Sequence, residues 1–488
     1  MTTIHIYGPN SILKGTFPKD ELHLATSYAV DGAKYSKAYR KGLWDGRKSL
    51  LNKKTGAFPT GLLRAVKETL EANGYEYDIE DHRVKPKPKR EKTSLVGISM
   101  TGKYSYQQDA VDSAIENMQG IIKAATGSGK TEIAAAITQY LGLNTLFLVP
   151  SAELMYQTQK RFITRLGLTS KEVGVIGDGE WKPGSFVTVA LVNTLESRLS
   201  NPETLELMSE IDILFLDECH GAGSETYFTV ATFCPAYFRF GLSATPLDRT
   251  DGADLRLIAT TGEVFFEISN KQLVDLEVSA KADIIWDRVN SPIIPKKTAY
   301  PTVYKTGVVE NAELITKVVD WTTSFVNQGL STLILIEEIA HGEMLDDALW
   351  NNPQGVFIPH QFIHGSEDTD VRAKAIADFD SRQLPVLVCS RILDQGVDTN
   401  AIDALIVAGS RKSKIKTMQR LGRGLRGERL IVVEFANYCH KYLLEHSLQR
   451  LRDYTAEKCF PQHQYKVDAN KEEMIARLWE AQKKSREK

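Results

Sequence analysis

The segment that most constrains this chain is Ala124-Ala-Thr-Gly-Ser-Gly-Lys-Thr131, which follows an apolar run, Gly120 to Ala124, and opens a stretch of helical spacing, Glu132 to Leu141. Strand, glycine-rich turn and helix in that order form the setting of a phosphate-binding loop. Gly127 and Gly129 let the backbone close around phosphate oxygens, whose charge meets exposed N–H groups and the positive end of the helix. Thr126 and Ser128 belong to the same cradle. Lys130 is placed to reach the β- and γ-phosphates of a nucleotide and Thr131 to ligate Mg²⁺.

The surrounding sequence repeats the theme. Thr145 to Val149, Phe186 to Ala190, Ile213 to Leu216 and Phe238 to Leu242 are apolar runs separated by helical stretches. A second series follows at Thr332 to Ile336, Val386 to Cys389, Ala404 to Ala408 and Leu430 to Phe435. Near-continuous apolar strands alternating with helices imply parallel sheets covered on both faces. The expected fold class is therefore α/β: two tandem doubly wound domains, with the join near residue 285, preceded by a small α/β domain.

That first domain covers residues 1–83. It has helical spacing from Gly61 to Asn73, a C-cap at Gly74, and a strand-like alternation from Tyr75 to Ile79. From Met1 to Lys92 there are 18 Lys and Arg against 11 Asp and Glu, a balance of +7 that leaves −9 for the rest of a chain whose net charge is −2. A basic front end on an acidic chain suits a module that contacts nucleic acid. It equally suits a solvated basic surface. Val84 to Lys92 mixes prolines with like charges, so residues 84–99 read as an extended linker. Residues 100–284 and 285–455 then hold the two large domains, and 456–488 a helical tail with an amphipathic stretch from Met474 to Gln482.

The five cysteines carry no paired spacing, so reduced thiols are expected. A zinc site on Cys219, His220 and Cys234 lacks the usual short couples of ligands, and metal chemistry is expected only as Mg²⁺ with nucleotide. No apolar run approaches the ~18 residues needed to span a bilayer. Met1 to Asn10 shows no secretory pattern, and a cytoplasmic protein with no membrane role is expected.

Ile211 to Leu216 delivers Asp217-Glu218-Cys219-His220 at its carboxyl end, where ligands of open α/β sheets bind. Adjacent side chains of an extended segment point apart, so Asp217 is assigned to Mg²⁺ and Glu218 to orienting and deprotonating the attacking water. Phosphoryl transfer also needs cations that neutralise charge building on the γ-phosphate. Gln419-Arg-Leu-Gly-Arg-Gly-Leu-Arg426 offers them, with Arg420, Arg423 and Arg426 at every third residue. Arg423 and Arg426 are the candidate arginine fingers.

In this order and at these separations the motifs resemble a superfamily 2 helicase over roughly residues 100 to 440. Tyr106-Gln107 resembles the adenine-reading Q motif, Val149 to Leu154 motif Ia, Val192-Asn-Thr194 motif Ib and Ser243-Ala-Thr-Pro246 motif III. His364-Gly365 resembles motif IVa, and Ser390 to Asp398, with Gly396-Val-Asp398, motif V. Within the superfamily the chain is similar to the UvsW-type phage DNA helicases and more distantly to XPB-type translocases, on Gly42-Leu-Trp-Asp-Gly-Arg47, Phe58-Pro-Thr-Gly-Leu62 and Gly174-Val-Ile-Gly177. Ser390 stands where the superfamily often has Thr, and the tetrad DECH where many relatives have DEAH or DEAD.

The resemblance implies two RecA-like domains using ATP and Mg²⁺ to move along DNA and to reshape branched DNA: fork regression, Holliday-junction migration and unwinding of R-loops or D-loops. It adds Gln107, Gly396 and Asp398 to the nucleotide site and Gln419 to the catalytic set. Ser243, Thr245 and His220 become candidates for coupling. Ser151, Asn193, Thr194 and Ser390 are candidate backbone contacts to DNA, or else caps and turns at strand ends. Trp44 and Arg47 are candidate contacts to a duplex arm, though a tryptophan in a small domain also suits a core. A monomer is expected, with replication and recombination proteins as further partners. An RNA helicase, a restriction-system motor without its nuclease and an ATP-binding scaffold are the competing readings.

Overall fold

The computed structural model describes residues 1–91, 95–219, 225–247, 253–352, 355, 357–390, 401–409, 429–466 and 469–486. The chain divides into two compact units, Met1–Ala125 with Gly129–Ile268, and Ser269–Lys488 with Thr126–Ser128. No helix among the described residues is long and apolar enough to cross a membrane.

The first unit opens with strands β1 (Thr2–Ile6), β2 (Asn10–Lys14), β3 (Ser27–Ala29), β4 (Arg47–Ser49), β5 (Ala57–Pro59) and β6 (Tyr77–Asp81). Four of them make a sheet in the order β5-β2-β1-β6, while β3 and β4 pair separately. The helix Leu63–Ala72 buries Val66 and Leu70 against Ile4, Ile6 and Phe58. This core does not end at the N-terminal domain: Phe228, Leu255, Ile258 and Ala259, from the large domain of the same unit, pack into it. Gly61 lies so close to the Ile258 and Ala259 carbonyls that a Cβ would collide with both.

Eight strands follow: β7 (Gln119–Ala124), β8 (Thr145–Val149), β9 (Val173–Gly177), β10 (Glu180–Lys182), β11 (Val187–Leu191), β12 (Ile213–Asp217), β13 (Phe238–Ser243) and β14 (Val264–Ile268). Their order is β10-β9-β11-β8-β12-β13-β7-β14. Among the described residues every pairing is parallel except β10 with β9. The strands β8, β12 and β13 are buried along their whole length, which is why β8 and β12 read as near-continuous apolar runs and β13 as one interrupted only by Arg239. Phe162, Phe147, Phe215 and Phe240 follow one another in edge-on and tilted contacts with ring centroids 5.5 to 5.6 Å apart. Beside them the fully buried Arg239 donates to the carbonyls of Thr260 and Cys234, each at 2.8 Å, and of Ala231. Those carbonyls lie at or just past the carboxyl ends of the helices Glu225–Phe233 and Ala253–Thr261, where the helix dipole favours a cation.

Residues 84–99 depart from the solvated linker expected of a proline-rich run of like charges. Lys89 pairs with Asp212 at 2.8 Å and Arg90 with Glu172 at 2.8 Å. Arg90 also stacks over Phe186, and the Val96 N–H donates to the Arg165 carbonyl. Carboxylates supplied by distant segments of the same unit neutralise the charge run, which local sequence does not reveal.

The second unit is a sheet of β15 (Lys281–Val289), β16 (Thr332–Leu335), β17 (His360–Ile363), β18 (Val386–Cys389), β19 (Ala404–Val407), β20 (Arg429–Asn437) and β21 (Gln462–Gln464). Among the described residues the order is β17-β18-β16-β19-β20-β15-β21, parallel throughout. The expected join near residue 285 is corrected: it falls inside β15, and the units part at Ile268 and Ser269. The expected tail, 456–488, is corrected too, because β21 extends the sheet and the helix Lys471–Arg486 packs Met474, Ile475 and Leu478 into the core.

Candidate functional site

Parallel strands place their carboxyl ends along one edge of the sheet, and in the first unit that edge collects the sequence motifs in a row. In the spatial order β11-β8-β12-β13-β7, the strands lead into Asn193 and Thr194, Ser151, Asp217 and Glu218, Ser243 and Thr245, and the phosphate loop. Register confirms the alignment, with Asp217 opposite Leu242 and Ser243 opposite Lys123.

The loop after β7 turns at Gly127 (φ 86°) and Gly129 (φ 82°), left-handed conformations that a side chain would strain. Thr126 is half-buried and Ser128 buried within this turn. The helix Lys130–Leu141 starts directly after it. Thr131, at that helix's first turn, is half-buried. Gln107 is buried on the helix Ser105–Asn117, and a Cβ on Gly129 would collide with its Nε2. The Q-motif glutamine therefore supports the base of the loop. Its neighbour Tyr106 has its phenol pushed up to about 12 by burial.

Lys130 Nζ lies 3.6 Å from Glu218 Oε1. Asp217 is buried at the end of β12, and its Oδ1 accepts the Glu218 N–H at 3.0 Å. Glu218 does not continue the extended strand: its φ of 46° is left-handed. The backbone turns between the two residues, so strand alternation, the reason expected from sequence, does not apply. Cys219 is buried against Gly241, and its thiol is pushed well above the usual range by burial, then by the charges of Glu218 and Asp217. Tyr227, whose phenol burial also pushes up, donates to the Asp217 carbonyl at 3.4 Å.

Sequence reading missed Glu132. It is buried two residues after Lys130 and receives Arg161 at 2.7 Å and Arg165 at 2.9 Å. The i,i+4 spacing of the two arginines on the helix Ala152–Leu166 was the available signal. This triad fixes the first turn of the helix that carries Lys130.

The remaining candidates sort unevenly. Ser243 is buried and its Oγ accepts the Thr245 N–H at 3.2 Å, which makes motif III a tight turn. Ser151 caps its helix by accepting the Leu154 N–H at 3.4 Å. Asn193 is exposed and Thr194 half-buried. In the second unit Ser390 follows β18 and His364 follows β17, on adjacent strand ends. Trp44 and Arg47 are engaged within their own domain. The Trp44 indole N–H donates to the Arg47 carbonyl at 2.7 Å, and Arg47 donates to Ser27 Oγ at 2.7 Å and to the Ser27 carbonyl at 2.5 Å. The guanidinium expected on phosphate thus clamps β4 to β3. His220, Gly396, Asp398, Gln419, Arg423 and Arg426 lie outside the described residues.

Thr131 and Asp217 offer hard oxygen donors, and the loop before Thr131 has two left-handed glycines, a set that fits Mg²⁺ carried with nucleotide phosphates. One carboxylate, Glu132, is held by two arginines, and Lys130 stands within reach of a second, Glu218.

Residues 102–248 match the family model described as Type III restriction enzyme, res subunit, and residues 313–428 match that of the helicase conserved C-terminal domain. The ATP-dependent DNA helicase uvsW of Enterobacteria phage T4 is 24% identical over 486 residues, covering 90% of this chain and 93% of its own. The DNA 3'-5' translocase XPB2 of Sulfurisphaera tokodaii is 25% identical, covering 66% of this chain and 78% of its own. Dbp5 of S. cerevisiae bound to RNA and ADP BeF3 superposes with a TM-score of 0.53 at 16% identity, over 76% of this chain and 93% of that one, which shows a shared fold.

Proposed function

Since the chain is a superfamily 2 helicase related to phage UvsW and the XPB translocases, we propose that it couples ATP hydrolysis at the Lys130–Glu218 site to movement on DNA, and that its substrate is branched DNA. The single observation that carries the hydrolytic half is the alignment of Lys130, Asp217, Glu218 and Ser243 on neighbouring strand ends. Support for DNA over RNA is that the similarity to the phage DNA helicase spans 90% of this chain.

In this reading Lys130 leaves Glu218 for the β- and γ-phosphates, and Glu218, freed, orients the water and accepts its proton. Thr131 and Asp217 hold the Mg²⁺, which when bound neutralises charge on the phosphate oxygens. The expected assistance of Arg423, Arg426 and Gln419 at the γ-phosphate falls on residues outside the described ones. Ser243 and Thr245, in a turn that leaves little slack, relay the phosphate state along the sheet edge. Ser151, Asn193, Thr194 and Ser390 contact the sugar–phosphate backbone, which is the same at every step and so suits a motor indifferent to sequence.

An ATPase assay with no nucleic acid, single-stranded DNA, duplex DNA, a four-way junction and RNA tests the proposal. DNA should stimulate turnover, the junction most. Equal or greater stimulation by RNA would move the substrate to RNA, and ATP binding without stimulated turnover would favour a scaffold.

A further inference from the structure

We propose that His5, Glu80 and His82 form a site for a zinc-class divalent ion on the solvent face of the N-terminal sheet. β1 and β6 run parallel with His5 opposite Glu80, and the His82 N–H donates to the Ile6 carbonyl at 2.9 Å. Alternation then brings all three side chains to one face, while Ile4 and Ile6 are buried on the other. His5 Nδ1 lies 3.1 Å from Glu80 Oε2 and 3.0 Å from His82 Nε2, and His82 Nε2 lies 3.5 Å from Glu80 Oε2.

The triangle has the size a metal demands. Tetrahedral Zn²⁺ with ligands at about 2.0 to 2.2 Å separates them from one another by roughly 3.3 Å. Protons serve the triangle less well. One proton occupies one edge, and two N–H groups both aimed at Glu80 would stand only 3.0 Å apart. A cation at the centre satisfies all three atoms together. Two imidazoles and one carboxylate select zinc over magnesium, which prefers an all-oxygen shell. Tyr7 stacks on His82 with centroids 4.7 Å apart and planes within 7°, fixing the ring's orientation. Glu80 and His82 are exposed, which leaves a fourth position for water or an exchangeable ligand. The ion joins β6 to β1 where the chain leaves the sheet for Arg83, which stacks on Tyr237 at 4.9 Å. This site is separate from the Mg²⁺ site and involves none of the cysteines.

The test titrates the full-length, nucleotide-free chain with Co²⁺ and then Zn²⁺. One ion should bind per chain, with the visible absorption of low-coordinate Co²⁺ bleached by Zn²⁺. His5→Ala, His82→Ala and Glu80→Gln should each weaken binding by at least about tenfold, with circular dichroism checking their fold. His23→Ala removes a different imidazole–carboxylate pair, 2.6 Å from Asp45, and should bind as the wild type does. Zn²⁺ should raise the melting midpoint of the wild type and not of His82→Ala. No stoichiometric ion in the wild type, or undiminished binding in all three site variants, overturns the proposal.

Discussion

Lys130 Nζ and Glu218 Oε1 stand 3.6 Å apart although they follow strands separated in the sheet by β13. The contact links the phosphate loop to the end of β12 and gives each charge a partner. In the proposed mechanism a γ-phosphate competes for the same lysine, so that binding would release the glutamate for its work on water. The pair is partly buried, 12% and 25% exposed.

The two residues should therefore fail differently. Glu218→Gln keeps shape and hydrogen bonding but removes the base, so nucleotide affinity should hold within a few-fold while turnover falls by about 10² to 10⁴. Lys130→Ala should lose both. Equilibrium binding of a fluorescent ATP analogue, measured beside steady-state hydrolysis, separates the outcomes.

The attachment of the N-terminal domain rests on Gly61. A Cβ there meets backbone carbonyls of Ile258 and Ala259, which have no side-chain freedom to move away. Gly61→Ala should cost about 1 to 3 kcal/mol, the range for overpacking, read as a lower midpoint in thermal unfolding. An unchanged midpoint would show that this contact is loose.

Arg239 is the buried cation on which three carbonyls depend. Arg239→Met keeps the aliphatic bulk and leaves those acceptors unpaired, at about 1 to 3 kcal/mol for each group left without a partner. Denaturant unfolding should show a large loss, and Arg239→Lys should recover part of it.

His341 is fully buried, and neither ring nitrogen finds a hydrogen bond among the described residues. Burial lowers its pKa from 6.5 to about 4. The unfolded chain thus takes up a proton near pH 6.5 that the folded chain accepts only near 4. Stability from this group is complete above pH 6.5 and falls as pH drops toward about 4, with a slope up to about 1.4 kcal/mol per unit. His341→Leu should flatten that part of the curve without loss at neutral pH, because it removes an unpaired polar group. Unfolding midpoints between pH 4 and 7 provide the measurement.

How much of this was legible in sequence follows from where the information lies. The phosphate loop, Asp217 and the fully buried strands β8 and β12 declare themselves locally, by glycine placement and near-continuous apolar runs. β15 does not. Its Asp283 and Asp287 interrupt the apolar pattern, and their partners come from far away: Lys317 and Trp321 reach Asp287, each at 2.9 Å, while Gln482 and His463 reach Asp283. A buried carboxylate looks like a loop residue until its donors are known, so the domain join was drawn through a strand. The same long-range pairing hid the strapped course of Lys89 and Arg90. The engagement of Arg47 with Ser27 was not legible either, because a guanidinium bound to a backbone carbonyl and one facing solvent look alike in sequence.

The measurement closest to the central claim is conversion of a synthetic four-way DNA junction into two duplex arms, followed on a native gel with ATP and Mg²⁺. The wild-type chain should convert the junction, Glu218→Gln should bind it without converting it, and an RNA duplex should remain unaltered. A junction left intact by wild-type protein that hydrolyses ATP, or conversion by Glu218→Gln at the wild-type rate, would contradict the account.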